Sequence, residues 1–201
     1  MAAHLEGPDL LALHARALEH FGALVRAVPA DAWRAPTPCT DWTVRQLVNH
    51  LASEQLWAPE LLAGATVAEV GDRFDGDVLG DDPVAAWTAA ADAARAAFAA
   101  PGALERTVHL SYGERRAAGY AREMTVDAIV HAWDLAQGIG ADATVDPAAA
   151  EFALAELSRQ ADSLAASGLF ADPVPVPPDA DAATRLLGLV GRDPAHPLGR
   201  R

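Results

Sequence analysis

Apolar residues recur at three- and four-residue intervals from residue 10 onward. Leu10, Leu13, Ala17, Leu18, Phe21, Leu24, Val25 and Val28 make one stripe that predicts a helix over residues 10–28, ended by Pro29. Residues 31–41 carry Pro36, Pro38 and Thr40 and predict a loop, with Thr40 or Asp41 capping the next helix. That second helix is expected over residues 43–62. Val44, Leu47, Val48, Leu51 and Gln55 track one side, and Leu47, His50, Glu54, Trp57 and Leu61 track the neighbouring side, which sets His50 at the border of the core. Pro59 should kink or shorten only the last turn.

Residues 64–82 are rich in Gly and Asp and predict a long connection, after which Asp82 and Pro83 start a third helix running to Ala100. Pro101 and Gly102 close it. Residues 107–120, with Gly113 and Gly119, predict an irregular or hairpin-like crossover. A fourth helix over residues 123–137 puts Met124, Val126, Ile129, Val130, Trp133 and Ala136 on its apolar stripe, with Asp127, His131 and Asp134 beside it; Gly138 and Gly140 stop it. A fifth helix from Pro147 to about Ala166, an extended Pro-Val segment over 173–177 and a short helix over 179–190 complete the pattern. The expected fold is all-α: four principal helices with one long crossover, plus a C-terminal helix and tail, in a single domain over 1–201 with its core at about 10–167 and the tail at 168–201.

Composition narrows the function. The 201 residues are 51% hydrophobic, enough for a sizeable core, yet no apolar run reaches the roughly 20 residues of a membrane span. A net charge of −13 disfavours nucleic acid and anionic membrane surfaces as partners and leaves small molecules. One cysteine forbids an internal disulfide framework, and the N-terminal residues do not read as a signal peptide, so a cytoplasmic protein is expected. Every basic side chain is Arg, which fits GC-rich coding.

The chemistry lies in two helical pairs, His50 with Glu54 and Asp127 with His131, each four residues apart and therefore on one helix face. If the two helices face each other, two imidazoles and a carboxylate converge. That donor set suits Zn²⁺, Ni²⁺ or Fe²⁺. Alone, either pair reads as a surface interaction worth a few tenths of a kcal/mol. A carboxylate beside the apolar stripe, however, requires a partner or a metal opposite it. Glu54 and Asp134 are further candidates: each could be an added ligand, a group that orients an imidazole, a proton shuttle or a solvated charge.

Glu123 reads as a charge favouring the helix N-terminus, and Cys39 as a packing residue ahead of the second helix. His14 and His20 have no acidic neighbour at helical spacing, His109 has Glu105 four before it only in a stretch that reads as non-helical, and His4 and His196 lie near the two ends of the chain and read as solvated. The five Trp residues are core anchors, with Trp57 and Trp133 placed on the metal side, and Arg45 or Arg122 could receive an acidic substrate. No phosphate loop, serine elbow or paired-cysteine motif is present.

Two blocks carry a resemblance: Pro38-Cys39-Thr40-Asp41-Trp42-Thr43-Val44-Arg45 with Leu47-Val48-Asn49-His50, and Thr125-Val126-Asp127-Ala128-Ile129-Val130-His131-Ala132-Trp133-Asp134-Leu135-Ala136. Here the chain resembles the actinobacterial metal-binding branch of the mycothiol-dependent maleylpyruvate isomerase and DinB-like superfamily. The similarity extends through Pro173-Val174-Pro175-Val176 and Leu186-Leu187-Gly188-Leu189-Val190-Gly191-Arg192-Asp193-Pro194. It implies a DinB-like four-helix bundle, a divalent metal on His50, Asp127 and His131, and a thiol such as mycothiol activated for isomerisation or transfer. In the isomerase the acid is a glutamate, so Asp127 is one methylene shorter. Two other readings stay open: a non-catalytic metal- or ligand-binding protein, with a homodimer as one arrangement, and a biosynthetic tailoring enzyme on the same scaffold.

Overall fold

The computed structural model describes residues 5–40, 42–159, 171–196 and 198. Helix α1 (Gly7–Ala27) starts with a proline in its first turn and buries Leu10, Leu13, Leu18, Phe21 and Val25. A single 3₁₀ turn (Ala32–Arg34) leads to α2 (Val44–Leu62), whose cap is Thr43 and neither Thr40 nor Asp41. The Thr43 hydroxyl accepts from Gln46 N–H while the Gln46 side chain accepts from Thr43 N–H, which satisfies two otherwise orphaned donors. Asp41 itself lies outside the described residues. Pro59 is accommodated inside α2, which continues to Leu62.

A short helix, α3 (Val67–Val70), interrupts the expected long connection, and α4 (Pro83–Ala99) follows, capped by Asp82. The crossover is a true antiparallel hairpin, β1 (Thr107–Leu110) and β2 (Gly113–Arg116), with His109 opposite Glu114. The structure is therefore mostly helical with one small sheet.

Helix α5 (Ala117–Ile139) begins six residues before the expected start at Glu123. Gly119 argues locally for a loop, at about 1 kcal/mol against Ala in a helix. Burial of Ala117, Tyr120 and Ala121 overrides it. Glu123 is consequently mid-helix, where it pairs with Arg115 at 3.3 Å and with Tyr112, and it is not a helix N-terminal charge.

Helix α6 (Pro147–Ser158) is capped by Asp146, and α7 (Ala182–Leu189) by Asp181. The expected continuation of α6 to Ala166 lies outside the described residues beyond 159. Helix α2 packs on α4 and α5, α1 on α4 and α5, and α6 on α5 and α7. Buried alanines on α5 (Ala121, Ala128, Ala132, Ala136) leave room for these neighbours to approach closely. Among the described residues no helix is long and apolar enough to cross a membrane.

Candidate metal centre

The helix periods that bury Leu47 and Leu51 on α2, and Met124 and Leu135 on α5, leave His50, Asp127 and His131 at the seam between the two helices. They meet there. One donor atom from each of the three residues lies within 4.8 Å of the other two. His50 Nε2 is 3.5 Å from Asp127 Oδ2, and His131 Nε2 is 3.4 Å from Asp127 Oδ1. A charge-assisted hydrogen bond would be nearer 2.7–2.9 Å. Donors bound to a tetrahedral ion at about 2.0–2.2 Å stand roughly 3.4 Å apart, so the spacing fits a small divalent metal.

The electrostatics tie the three groups to one another. Burial works to raise the Asp127 carboxyl, but interaction with His131 and then His50 holds it below the usual carboxylate range. Burial likewise opposes the His131 cation, and Asp127 followed by Asp134 overrides this and lifts the imidazole to about 9. His131 Nδ1 lies 2.9 Å from Asp134 Oδ2, which favours the tautomer with hydrogen on Nδ1 and turns the Nε2 lone pair toward the cluster.

Asp134 is fully buried and is gripped by Arg192, whose Nη2 is 2.7 Å from Oδ2 and whose Nε is 3.2 Å from Oδ1. Glu54 sits one turn from His50. Burial raises its carboxyl and repulsion from Asp127 adds to this, with His50 partly compensating. Tyr120, two turns before Asp127 on α5, is buried and its hydroxyl has no hydrogen-bond partner among the described residues; burial and then Glu54 push that phenol well above its ordinary range.

Trp42 is the aromatic residue at the cluster, with its ring 4.4 Å from that of His50 and 5.6 Å from that of His131. Its loop is held by the Thr37 hydroxyl, 2.8 Å from Trp42 O, and by a bridge between Pro36 and Thr43. The loop rests on Gly138 of α5, where a Cβ would come within 3.1 Å of Thr37 and Val44. The tryptophans expected on the metal side sit elsewhere. Trp57 packs on Phe74 at 5.6 Å, and Trp133 lines a separate cavity of about 250 Å³ with Leu13, Ala17 and Ile129.

A cleft of about 600 Å³ opens beside His50, walled by Trp42, Gln46, Asn49, Ser53 and the segment from Phe74 to Asp77. One face of α2 holds that segment. Arg45 binds Asp77 and Gly80 O at 2.7 Å each, Asn49 donates to Gly76 O and accepts from Val78 N–H at 2.8 Å each, and Ser53 donates to Phe74 O at 3.0 Å. The spacing of four residues puts all three side chains in one row. We expect Asn49→Ala to remove two of these bonds at a cost of about 1–3 kcal/mol. Amide exchange at Val78 should accelerate while that of the buried α5 amides stays unchanged; equal exchange at Val78 would show that the segment is held without Asn49.

The remaining candidates lie outside the cluster of His50, Asp127 and His131. Arg122 donates to Leu5 O at 2.7 Å and Arg45 is engaged as above, so both cations expected to receive an acidic substrate already have protein partners. His14 is buried against Phe98, and burial, then Arg95, lowers it to about 4, keeping it neutral. His20 is exposed at the rim of the smaller cavity, His109 pairs with Glu114 and His196 with Asp193. His4 lies outside the described residues. Cys39 is half-buried and interacts with Arg192.

The family described as the mycothiol maleylpyruvate isomerase N-terminal domain matches residues 14–136, which include His50, Asp127, His131 and Asp134. Two uncharacterized proteins of Mycobacterium tuberculosis, one from each of two strains, are 36% identical over 190 residues, covering 92% of this chain and 98% of theirs. A further uncharacterized protein of that organism is 35% identical over 65 residues, 32% of this chain and 23% of its own length. No solved structure matches.

Proposed function

This chain belongs to the family of the mycothiol maleylpyruvate isomerase N-terminal domain, and from that premise we propose a metal-dependent enzyme of thiol chemistry, an isomerase or thiol transferase with a small-molecule substrate. The observation that carries this reading is the convergence of His50, Asp127 and His131 donor atoms within 4.8 Å beside an open cleft. The scaffold in this reading is a single DinB-like four-helix bundle domain, built from α1, α2, α4 and α5, in a cytoplasmic protein.

Three protein donors leave a coordination position open, the catalytic pattern and not the structural one. A divalent metal there, Zn ahead of Ni or Fe, would act as a Lewis acid that lowers the pKa of a bound thiol, mycothiol in this family, or of water. His50, Asp127 and His131 would hold that ion with a donor set of net charge −1. Glu54, its carboxyl raised by burial and by repulsion from Asp127, is suited to take up and return a proton at its carboxylate. Asp134, with both oxygens engaged by His131 and Arg192, orients His131. Trp42 and Phe74 give the cleft an apolar part of its lining, against which a substrate's apolar portion would pack.

A non-catalytic metal-binding role is favoured by one observation, the Trp42 ring packing beside both imidazoles, 4.4 Å from His50 and 5.6 Å from His131. Metal content measured by elemental mass spectrometry on untagged protein, with His50→Ala and Asp127→Ala alongside, tests the site. About one equivalent in the parent and a small fraction of that in each variant is expected for a single centre. Adding mycothiol to the Co²⁺ form should then produce a thiolate-to-cobalt absorption band. Metal without such a band would favour the non-catalytic role, and no metal uptake from Zn²⁺ or Ni²⁺ would sink both.

A further inference from the structure

We propose that Arg192, near the end of the described chain, is a positioning residue of the metal centre, holding His131 in its ligating orientation through Asp134. This rests on the metal reading above and makes the C-terminal segment part of the site.

The geometry is a continuous chain of polar contacts. Arg192 meets both oxygens of Asp134 at 2.7 and 3.2 Å, and Asp134 in turn meets His131 Nδ1 at 2.9 Å. The opposite ring nitrogen of His131 is the one in the cluster. All three side chains are buried, with Arg192 and His131 about 5% exposed and Asp134 not at all. A carboxylate held by one hydrogen bond can still pivot. One held by a planar two-pronged guanidinium fork cannot, so the direction of the His131 ring is fixed from behind.

The backbone is shaped to deliver this arginine. Gly191 adopts φ +76°, a left-handed conformation that turns the chain sharply after α7, and a Cβ there would lie 2.7–2.9 Å from Ala171 atoms. Gly188 lets the extended segment at Val174 approach so closely that a Cβ would come within 2.8 Å of Val174 O; the Val174 N–H donates to Gly188 O at 2.8 Å. Arg192 N–H then donates to Leu187 O, and its Nη1 donates to Val190 O at 2.7 Å, which closes the turn on the guanidinium itself. The extended segment, both glycines and the arginine thus form one device whose inward end is Asp134. Surface anchoring of a tail would not need a buried ion pair 58 residues from its partner in sequence.

The test is a double-mutant cycle on the full chain, reading Zn²⁺ affinity by chelator competition and the melting temperature of the metal-free protein. Arg192→Lys keeps the charge, so Asp134 is not stranded, but loses the fork. It should weaken Zn²⁺ binding about tenfold, the lower end of what losing a ligand's hydrogen-bond partner costs. Asp134→Asn should weaken it at least as much, and adding Arg192→Lys to Asp134→Asn should change affinity by less than about twofold, because the arginine acts through the carboxylate. The Co²⁺ form of Arg192→Lys should also show altered d–d absorption.

If Arg192→Lys lowers only the metal-free melting temperature and leaves affinity and the cobalt spectrum unchanged, the arginine is a packing anchor and the inference is overturned while the metal reading stands. Additive losses in the double variant overturn the route through Asp134. A parent protein that binds no metal overturns both. Should Arg192→Lys not fold, Asp134→Asn with Arg192→Gln removes both charges together, and unchanged Zn²⁺ affinity in that pair overturns the inference equally.

Discussion

Replacing Asp134 with alanine is expected to cost about 3–5 kcal/mol of stability in the metal-free protein, because it strands a buried guanidinium. For a chain of this size that corresponds to a fall in melting temperature on the order of 10 °C. Arg192 would keep its bond to Val190 O but lose both carboxylate contacts, and His131 Nδ1 would lose its acceptor. The sign with pH follows from the same contacts. Burial raises the Asp134 carboxyl, but hydrogen bonds with His131 and Arg192 outweigh it and the group is held below its ordinary value. Its contribution is therefore present above the unfolded value of 3.8 and is lost as the pH falls through the lower folded value. Urea and thermal denaturation of the metal-free protein check the magnitude. Asp134→Leu combined with Arg192→Met should recover most of the loss, since exchanging a whole buried pair for apolar groups is often neutral. A single-variant loss under about 1 kcal/mol would place the pair in the weak, solvent-screened class.

The same residues mark where local pattern carries information and where it runs out. His50, Asp127 and His131 are legible because each sits at the border of an apolar stripe of period 3.6, and a polar group at that border needs something opposite it. Asp134 is legible as a neighbour of His131 three residues on. Arg192 is not, since its partner is 58 residues away and nothing in the spacing around it points inward. Gly188 and Gly191 are equally silent locally, since what they make room for is set by residues 171–176.

On the face Arg45, Asn49 and Ser53 the sequence singles out only Arg45, as a cation for an acidic substrate, yet the whole row holds one wall of the cleft. Apart from the Arg45–Asp77 pair, its bonds are to backbone groups of a loop, which leave no pattern in the loop's own sequence. Trp42 escapes for a similar reason. Its position beside the two imidazoles is fixed by the loop conformation that Thr37 and Gly138 permit, not by a helical register. At α5, Gly119 misplaces the helix start because a propensity of about 1 kcal/mol is outweighed by burying Tyr120 and its alanine neighbours.

Zinc affinity should fall about tenfold for each pH unit below about 9, one proton being displaced for each ion bound. The reason lies in the metal-free cluster. Despite burial, Asp127 and then Asp134 lift His131 to about 9, so at neutral pH the nitrogen that must bind the ion carries a proton. Metal-free stability runs the opposite way. A folded value raised above 6.5 contributes stability that is fully present below 6.5 and disappears as the pH rises through about 9. The metal-free melting temperature should thus decline over that window while zinc binding tightens over it. Asp127→Asn separates the two effects: it removes the larger of the two charges that raise His131, so the pH slope above pH 7 should flatten. Affinity itself should drop by more than the roughly 10–100-fold typical of losing a ligand's hydrogen-bond partner. Calorimetric titration in two buffers of different ionisation enthalpy, with chelator protonation accounted for, counts the protons released. A parent protein releasing none at pH 7.5 would mean that His131 is already neutral there, and that the charge on Asp127 does not govern the imidazole facing it.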